Sequence, residues 1–215
     1  MPRYLTSVLS AHDLPIAELT AARLDGELFE VDACFAPVDE IEQPAHRVLA
    51  LRSAVHDRLI AEQLTAAWIW GAMPAPPARH QFCAALGARV SRTSVPWRSV
   101  REVVIDPVEL AVVNGMRVTS PLRTIVDIAR FADTFEHKES QAILGLQRLS
   151  GIGTADVIAE INRRRNLPGK RRALARVDAI HVVYGVDAPH GVEHPIEMGG
   201  VAHFEHESAE CKPFA

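Results

Sequence analysis

The sequence predicts an α+β protein, and three observations lead to this fold class. Apolar residues recur at helical spacing in several stretches, of which 121–130 is the clearest. Short runs of alternating or β-branched residues, such as 101–106, indicate strands between the helices. Asn114-Gly115, the strongest two-residue signal for a tight hairpin turn, joins two further extended runs. Elements of both kinds in this order favour a mixed or antiparallel sheet with helices packed on it, followed by a helical C-terminal region.

Length and composition are those of a globular protein with one or two domains. The chain has 215 residues, of which 48% are hydrophobic, so it can bury a sizeable core. No stretch approaches the roughly 18 uninterrupted apolar residues that a membrane span needs, and the N-terminus lacks a hydrophobic signal core. We therefore expect a cytoplasmic protein without a membrane partner. Three scattered cysteines without zinc-site spacing predict free or buried thiols.

Residues 1–40 are predicted to form a small winged-helix-like module. A first short helix ends before Pro15, a second ends at Gly26, and 27–37 has the pattern of a hairpin or wing. A DNA-binding winged helix has three helices, whereas only two are evident here. Its charge also disfavours phosphate contacts, because eight acidic residues oppose two arginines: Asp13, Glu18, Asp25, Glu27, Glu30, Asp32, Asp39 and Glu40 against Arg3 and Arg23. DNA binding and a role in packing or dimerisation both stay open for this module.

A larger α+β domain is predicted over 45–180, after a polar linker with two prolines, and an acidic, His-rich, flexible tail over 181–215. Trp68 and Trp70 lie two residues apart, so we expect one to face inward and the other to be partly exposed. Core or interface packing is the favoured role for this pair, and stacking of bases is the alternative. His80 lies on a predicted strand, where a hydrogen-bonded core histidine is more common than a catalytic base.

The segment 114–130 combines a turn, a short strand and a capped helix. The Ser120 hydroxyl can cap the helix, and Pro121 suits its first position. The run Gly-x-Arg-Val-Thr-Ser-Pro-Leu-Arg-Thr-Ile-Val-Asp-Ile-Ala-Arg resembles the signature of AbiEi-type antitoxins, the partners of nucleotidyltransferase toxins in bacterial toxin-antitoxin pairs. The stretch 58–71 resembles a second part of that family's pattern. The resemblance covers about residues 14–150.

This resemblance implies an antitoxin that neutralises a co-encoded nucleotidyltransferase toxin and represses its own operon by binding promoter DNA. It implies no enzymatic activity, no cofactor, no metal and no small-molecule substrate. In the family, the C-terminal domain is associated with neutralisation and the N-terminal module with DNA. The alternative is a DNA-binding transcriptional regulator without a toxin partner.

Basic residues supply the candidate binding surface. Seven lie between 163 and 176, where no acidic residue occurs, and two more lie on the predicted helix of the 114–130 segment. The candidates are Arg123, Arg130, Arg163, Arg164, Arg165, Lys170, Arg171, Arg172 and Arg176. Three interpretations of the basic run stay open, namely a solvated helix face, a site for the partner toxin, and a contact with operator DNA. Arg123 and Asp127 are also spaced to pair with each other along a helix.

Motifs for catalysis are missing from the sequence. No phosphate-binding glycine loop, nucleophile elbow or Cys-His signature is present. The histidines and glutamates between 181 and 207 could chelate a transition metal, but their spacing matches no established motif. We therefore expect no catalytic residue, no cofactor-binding residue and no metal site.

Overall fold

The computed structural model describes residues 7–52, 54–88 and 95–185, together with the backbone of 201–202. The helices are α1 (Ile16–Leu24), α2 (Pro44–Arg52), α3 (Gln63–Ile69), α4 (Pro121–Phe131), α5 (His137–Ser150), α6 (Thr154–Arg163) and α7 (Lys170–Tyr184). The strands are β1 (Leu28–Val31), β2 (Cys34–Pro37), β3 (Ile60–Ala61), β4 (His80–Ala85), β5 (Arg98–Val103), β6 (Leu110–Val113), β7 (Met116–Thr119) and β8 (Val201–Ala202). Within these ranges, no helix has the length and apolar character needed to cross a membrane.

The N-terminal module consists of α1 and an antiparallel hairpin of β1 and β2. Asp32 has a left-handed φ of 57° in the hairpin turn, a conformation that Asp tolerates better than most residues. The described end of the predicted first helix is not helical, because Leu9 instead forms a β-bridge with Phe35. Both residues pack with Leu19 of α1 in a small core. Within residues 7–40, the described part of the predicted module, one helix packs on a hairpin.

The larger sheet is mixed, as the sequence predicts. Five strands follow the order β5-β4-β3-β7-β6, and β8 pairs with β6. β3 pairs antiparallel with β4 and parallel with β7, β4 and β5 are parallel, and β6 and β7 form an antiparallel hairpin. The strand predicted at 101–106 is in fact β5 at 98–103. Its register follows β4 from His80 opposite Arg98 to Ala85 opposite Val103, so the end of β4 also ends β5.

The hairpin turn and the capped helix of 114–130 form as predicted. Asn114 and Gly115 have φ values of 43° and 79°, which are the positive angles of a type I′ turn. The backbone N–H of Arg123 donates to Ser120 Oγ over 3.4 Å at the start of α4. The apolar face of α4 is fully buried at Ile125 and Ile128. α4 packs against α3, α5, α6 and α7, which makes it the central helix of this group.

The prediction that one of two tryptophans is partly exposed is wrong. Trp68 and Trp70 are 1% and 7% exposed, and Trp70 Nε1 donates to Thr119 O over 2.9 Å. α3 contacts α2, α4, α5 and β4, so every side of the helix is covered. Trp68 and Trp70 point in different directions, but both rings are buried. Neither ring is therefore accessible for stacking on a base.

Gly145 of α5 lies directly against Ala72 in the segment after α3. A Cβ atom at this position would lie 2.7 Å from Ala72 O and 3.0 Å from Ala72 Cβ, which is shorter than van der Waals contact allows. Glycine inside a helix normally destabilises it relative to alanine. Gly145 is therefore required by the packing of α5 and not by its backbone conformation.

We expect Gly145→Ala to lower the free energy of unfolding by about 1–3 kcal/mol, because the added methyl group forces α5 away from Ala72. Urea denaturation followed by circular dichroism measures this change. Gly153→Ala is the matched control, since its Cβ would meet only Asp156 Oδ2 at 3.4 Å. A Gly145→Ala variant that is as stable as the wild type, or more stable, contradicts the packing argument.

Candidate functional site

A fully buried carboxylate, that of Asp127 on α4, lies among three arginines. It accepts hydrogen bonds from Arg101 Nη2 at 3.0 Å, Arg123 Nε at 2.8 Å and Arg130 Nη1 at 3.2 Å. Asp127 is 0% exposed, and Arg123 and Arg130 are each 6% exposed. The predicted pairing of Arg123 with Asp127 is thus confirmed, within a larger cluster.

A second buried carboxylate, Glu62, extends this cluster to the start of α3. Glu62 is 1% exposed and receives a bidentate contact from Arg101, with Nε at 2.6 and 2.8 Å and Nη2 at 2.6 Å from its oxygens. Arg101 belongs to the edge strand β5 and also reaches Asp127 on α4. One guanidinium therefore joins the sheet edge to two helices.

A third carboxylate, Glu109, extends the ion pairs toward the C-terminal helices. Glu109 accepts from Arg123 Nη1 at 2.7 Å and also pairs with Arg164 just after α6. Glu160 in α6 lies 3.6 Å from Arg164 Nε and accepts two hydrogen bonds of 2.8 Å from Arg163. We refer to the nine residues as the ion network: Glu62, Arg101, Glu109, Arg123, Asp127, Arg130, Glu160, Arg163 and Arg164.

The charges of this network keep its arginines ionised. Burial tends to lower the pKa of Arg101 and Arg123, but the hydrogen bonds and charges of Glu62 and Asp127 outweigh burial and raise both values. Burial lowers the pKa of Arg130, helped by the neighbouring arginines and opposed by Asp127. Arginine starts so far above neutrality that all three remain cations. The network is therefore suited to holding elements together and not to proton transfer.

His80 joins the N-terminal hairpin to the larger sheet. Its Nε2 lies 3.2 Å from Asp32 Oδ1 in the hairpin turn, and its Nδ1 lies 3.3 Å from Thr65 Oγ1 in α3. Thr65 Oγ1 also accepts from Gln81 N over 2.8 Å. Both ring nitrogens have partners and the ring is 5% exposed, so the predicted role of a hydrogen-bonded core histidine is confirmed.

The Asp32 carboxylate contributes a pH-dependent part of this contact. Burial alone would raise the pKa of Asp32, but the hydrogen bond and charge of His80 outweigh it and hold the pKa below its ordinary value of 3.8. A carboxyl group whose pKa is lower in the folded state stabilises the fold above its unfolded pKa. That contribution is lost as the pH falls through the folded pKa.

The cysteines and the possible metal ligands were also located in the described part of the chain. Cys34 and Cys83 are free and buried, and burial raises the pKa of both thiols, which makes them unreactive. No group of three His, Cys, Asp or Glu residues among the described positions could hold a metal ion. The histidine-rich segment and the predicted flexible tail lie mostly outside the described residues.

The predicted basic residues fall into two groups. Arg123, Arg130, Arg163 and Arg164 belong to the ion network, and Arg176 donates to Ala129 O at 3.1 Å and Ala132 O at 3.0 Å at the C-terminal end of α4. The burial of Arg123 and Arg130 means that the charged row of α4 is not an exposed face. A binding role for these five residues stays a prediction, and their contacts favour a structural role.

The remaining four predicted residues surround an open groove, which we call the basic groove. It has a volume of about 740 Å³ and is lined by Arg165, Asn166, Leu167, Gly169, Lys170, Arg171, Arg172 and Leu174. Lys170 Nζ donates to Asn162 O over 3.3 Å. Arg165, Arg171 and Arg172 are exposed and make no hydrogen bond or ion pair with the described residues. The groove therefore offers cationic side chains to a partner without breaking internal contacts.

The sequence analysis missed the carboxylates that neutralise the buried arginines. Glu62 and Glu109 lie 65 and 18 residues before Asp127 in the chain, and no local spacing relates them to it. The sequence near Glu109 predicts only its capping box with Asp106 at the 3-10 turn Pro107–Glu109. It does not predict the ion pairs of Glu109 with the arginines. The link between Asp32 and His80 likewise depends on tertiary structure.

We expect Asp127→Asn to lower the free energy of unfolding by about 3–5 kcal/mol, because the buried guanidiniums of Arg123 and Arg130 and the partly buried one of Arg101 lose a shared counter-charge. Chemical denaturation of purified protein measures the loss. Glu160→Gln is the control, since it weakens only a partly exposed ion pair and is expected to cost less than about 1 kcal/mol. Equal and small effects for both variants would show that the Asp127 charge does not hold the fold together.

We expect the stability difference between the wild type and Asp32→Asn to shrink as the pH is lowered from about 5 to about 3. Asparagine retains the left-handed turn conformation but carries no charge, so only the ionic part of the contact with His80 is removed. Denaturation curves of both proteins at several pH values test this. If the stability difference between the two proteins stays constant over that pH range, the charge of Asp32 is not the source of the difference.

One comparison with known proteins finds a family match in the central part of the chain. Residues 60–144 match the family model of the AbiEi antitoxin C-terminal domain, from β3 into α5. A search of curated proteins gives no match. The crystal structure of the RV2827C protein from Mycobacterium tuberculosis aligns with 81% of this chain and 72% of that one, with 16% sequence identity and a TM-score of 0.44.

The matched region contains the turn and capped helix of 114–130, where the resemblance to AbiEi-type antitoxins was noted in the sequence. It also contains six members of the ion network, from Glu62 to Arg130, and it ends before the basic groove. Residues 60–144 of this chain are therefore similar to the C-terminal domain of AbiEi antitoxins.

Proposed function

We propose that this protein is an antitoxin that neutralises a co-encoded nucleotidyltransferase toxin by binding, without catalysing a reaction itself. The match of residues 60–144 to the AbiEi antitoxin C-terminal domain is the observation that carries this proposal. The ion network fits such a role, because it occupies its charged groups in internal pairs and leaves none of them poised for chemistry. Neutralisation then depends on surface residues.

The basic groove is the surface that we assign to the toxin contact. Arg165, Arg171 and Arg172 are exposed and unpaired among the described residues, so docking an acidic patch costs no internal ion pair. The neighbouring Lys170 begins α7, where the helix dipole adds a partial positive charge. An acidic surface on the toxin would meet four cationic side chains around an open concavity.

A second candidate function is repression of the protein's own operon through DNA binding. The same groove supports it, because exposed arginines are suited to phosphate contacts. The N-terminal module is a poor DNA-binding surface, since its exposed charges are mostly carboxylates. We therefore place the main DNA contact at the basic groove, in competition with the toxin.

We expect the double variant Arg171→Ala, Arg172→Ala to rescue growth less well than the wild type when each is co-expressed with the neighbouring toxin gene in a bacterial host. Two cationic contacts are removed from an exposed groove, so the fold is unaffected. Arg148→Ala, an exposed arginine in α5, is the matched control and should rescue fully. If the double variant rescues as well as the control, the groove is not the neutralising surface. If the wild type itself gives no rescue, the proposed function is wrong.

For the upstream intergenic DNA, we expect the slope of log K against log salt concentration to become shallower by about 1.8 in the same double variant. Each lost phosphate contact releases about 0.9 fewer counterions on B-DNA. Fluorescence anisotropy with purified protein over a salt series measures both slopes. A variant with an unchanged slope would mean that Arg171 and Arg172 do not contact phosphates.

A further inference from the structure

The basic groove carries positive charge that the described residues do not neutralise. Arg165, Arg171 and Arg172 are exposed around it and have no hydrogen-bond or ion-pair partner among the described residues. Burial and the nearby charge of Arg172 lower the pKa of Arg176, so neighbouring cations on α7 repel each other. A groove of this kind is suited to carboxylates that come from outside the described residues.

The strand β8 runs toward this groove. It is antiparallel to β6, and its first and second residues lie opposite Val113 and Val112. Its direction is therefore from the hairpin turn after β6 toward Glu109. Glu109 pairs with Arg164, and the next residue in the chain, Arg165, lines the groove. The end of β8 thus points to the side of the groove where Arg165 lies.

The chain after β8 is acidic and long enough to extend along the groove. Residues 203–210, which we call the acidic segment, contain Glu205, Glu207 and Glu210 and no lysine or arginine. The residue opposite the end of β8 lies three positions from Glu109, which is about 10 Å along an extended chain. Eight extended residues span about 26 Å. The length that remains therefore covers the first turns of α7, which line the groove.

The acidic residues before β8 are tethered differently. Residues 186–200 begin at the C-terminal end of α7 and lead to β8, whereas the groove lies at the N-terminal end of α7. A helix of 15 residues such as α7 separates its two ends by about 22 Å. The acidic segment is therefore the better-placed occupant, and the acidic residues of 186–200 serve as its control.

We propose that the acidic segment occupies the basic groove of its own chain, with its glutamates paired to Arg165, Arg171 and Arg172. Because the segment is tethered to β8, its effective concentration at the groove is on the order of millimolar. The contact therefore forms without a second molecule. It goes beyond the proposed function, since it needs neither toxin nor DNA. An acidic protein surface or a nucleic acid binds the groove only after it has displaced the segment.

Zero-length cross-linking of the purified protein with a carbodiimide tests this contact, because the reagent joins a lysine amine only to a carboxylate that touches it. The lysines of the chain are Lys138, Lys170 and Lys212. Lys170 lines the groove, and the exposed Lys138 in α5 is an internal control. Peptide mass spectrometry should find Lys170 joined to a glutamate of the acidic segment in a monomeric product. The yield should fall in about 1 M salt, which screens the charges.

Three results of the cross-linking experiment overturn the proposal. The first is that Lys170 forms no cross-link with the acidic segment. The second is that Lys138 reacts with the segment as often as Lys170 does. The third is that the cross-link joins two chains, which would mean that the groove takes the segment of a second copy.

Neutral variants test which part of the chain occupies the groove. The first variant carries Glu205→Gln, Glu207→Gln and Glu210→Gln, and the control carries Asp187→Asn, Glu193→Gln and Glu197→Gln. Both remove three negative charges, so they differ in the position of those charges. The probe is a fluorescein-labelled hexaglutamate peptide, and fluorescence anisotropy measures its binding. The first variant should bind it at least about tenfold more tightly than the wild type or the control, because a groove that is nine-tenths occupied loses about tenfold in apparent affinity.

A further pair of changes identifies the surface that the peptide occupies. Addition of Arg171→Ala and Arg172→Ala to the first variant should abolish the gain in affinity, whereas addition of Arg148→Ala, outside the groove, should leave it unchanged. A gain that survives the loss of the groove arginines overturns the proposal. Equal affinities of the wild type, the first variant and the control also overturn it.

The toxin experiment separates this contact from the proposed function. The first variant keeps its groove and should rescue growth from the toxin at least as well as the wild type. Rescue by the wild type without a cross-link or a gain in peptide affinity contradicts the segment contact alone. Absence of rescue by the wild type contradicts the proposed function and leaves the peptide and cross-linking results unchanged.

Discussion

The carboxylate of Asp127 is the group around which the ion network is arranged. It is completely buried and is contacted by guanidiniums from β5 and from two other positions on α4. Burying these charges is costly in itself, because each loses its hydration. The cost is offset because Arg101 and Arg123 each have a second carboxylate, Glu62 and Glu109 respectively. The sheet edge, α3 and α4 are therefore held in one relative position by directional contacts in addition to apolar packing.

The same group of contacts determines where the basic groove lies. Arg130 donates from Nε to Pro168 O over 2.9 Å, just before α7 begins. Gly169 has a φ of 76°, and a Cβ there would lie 3.3 Å from Arg130 O, so a side chain at that position would be strained and crowded. Arg176 then donates to the last carbonyls of α4, a favourable position for a cation at a helix C-terminus. The segment that carries the groove arginines is therefore held against α4 by the buried Arg130, which is distant in sequence, and by the partly buried Arg176.

The parts of the fold that depend on local chemistry could be predicted from the sequence. Asn114-Gly115 specifies its turn and Ser120 its cap, because both act within a few residues. Trp70 and Arg123 illustrate the limit. Helical spacing predicts the direction of a side chain, but whether another element covers that direction depends on residues far away in the chain. The alternation of charge on α4 looks like a solvent-exposed face until Arg101, Glu62 and Glu109 are placed around it. For the basic groove, the sequence predicted the four charged residues that line it as binding candidates, but it could not separate them from the candidates engaged in internal pairs.

The ion network and the basic groove use different charged residues, so the proposed binding surface can coexist with a highly charged interior. Removing a charge from the ion network leaves its partners buried and unpaired, so such a change acts on the fold as a whole. Changes at Arg165, Arg171 or Arg172 remove solvated side chains that have no partner among the described residues, and their effect on stability is small. Six of the nine network residues lie within the region that matches the AbiEi domain, whereas the groove follows that region in the chain. The charge and shape of the groove can therefore change while the scaffold that positions it stays intact.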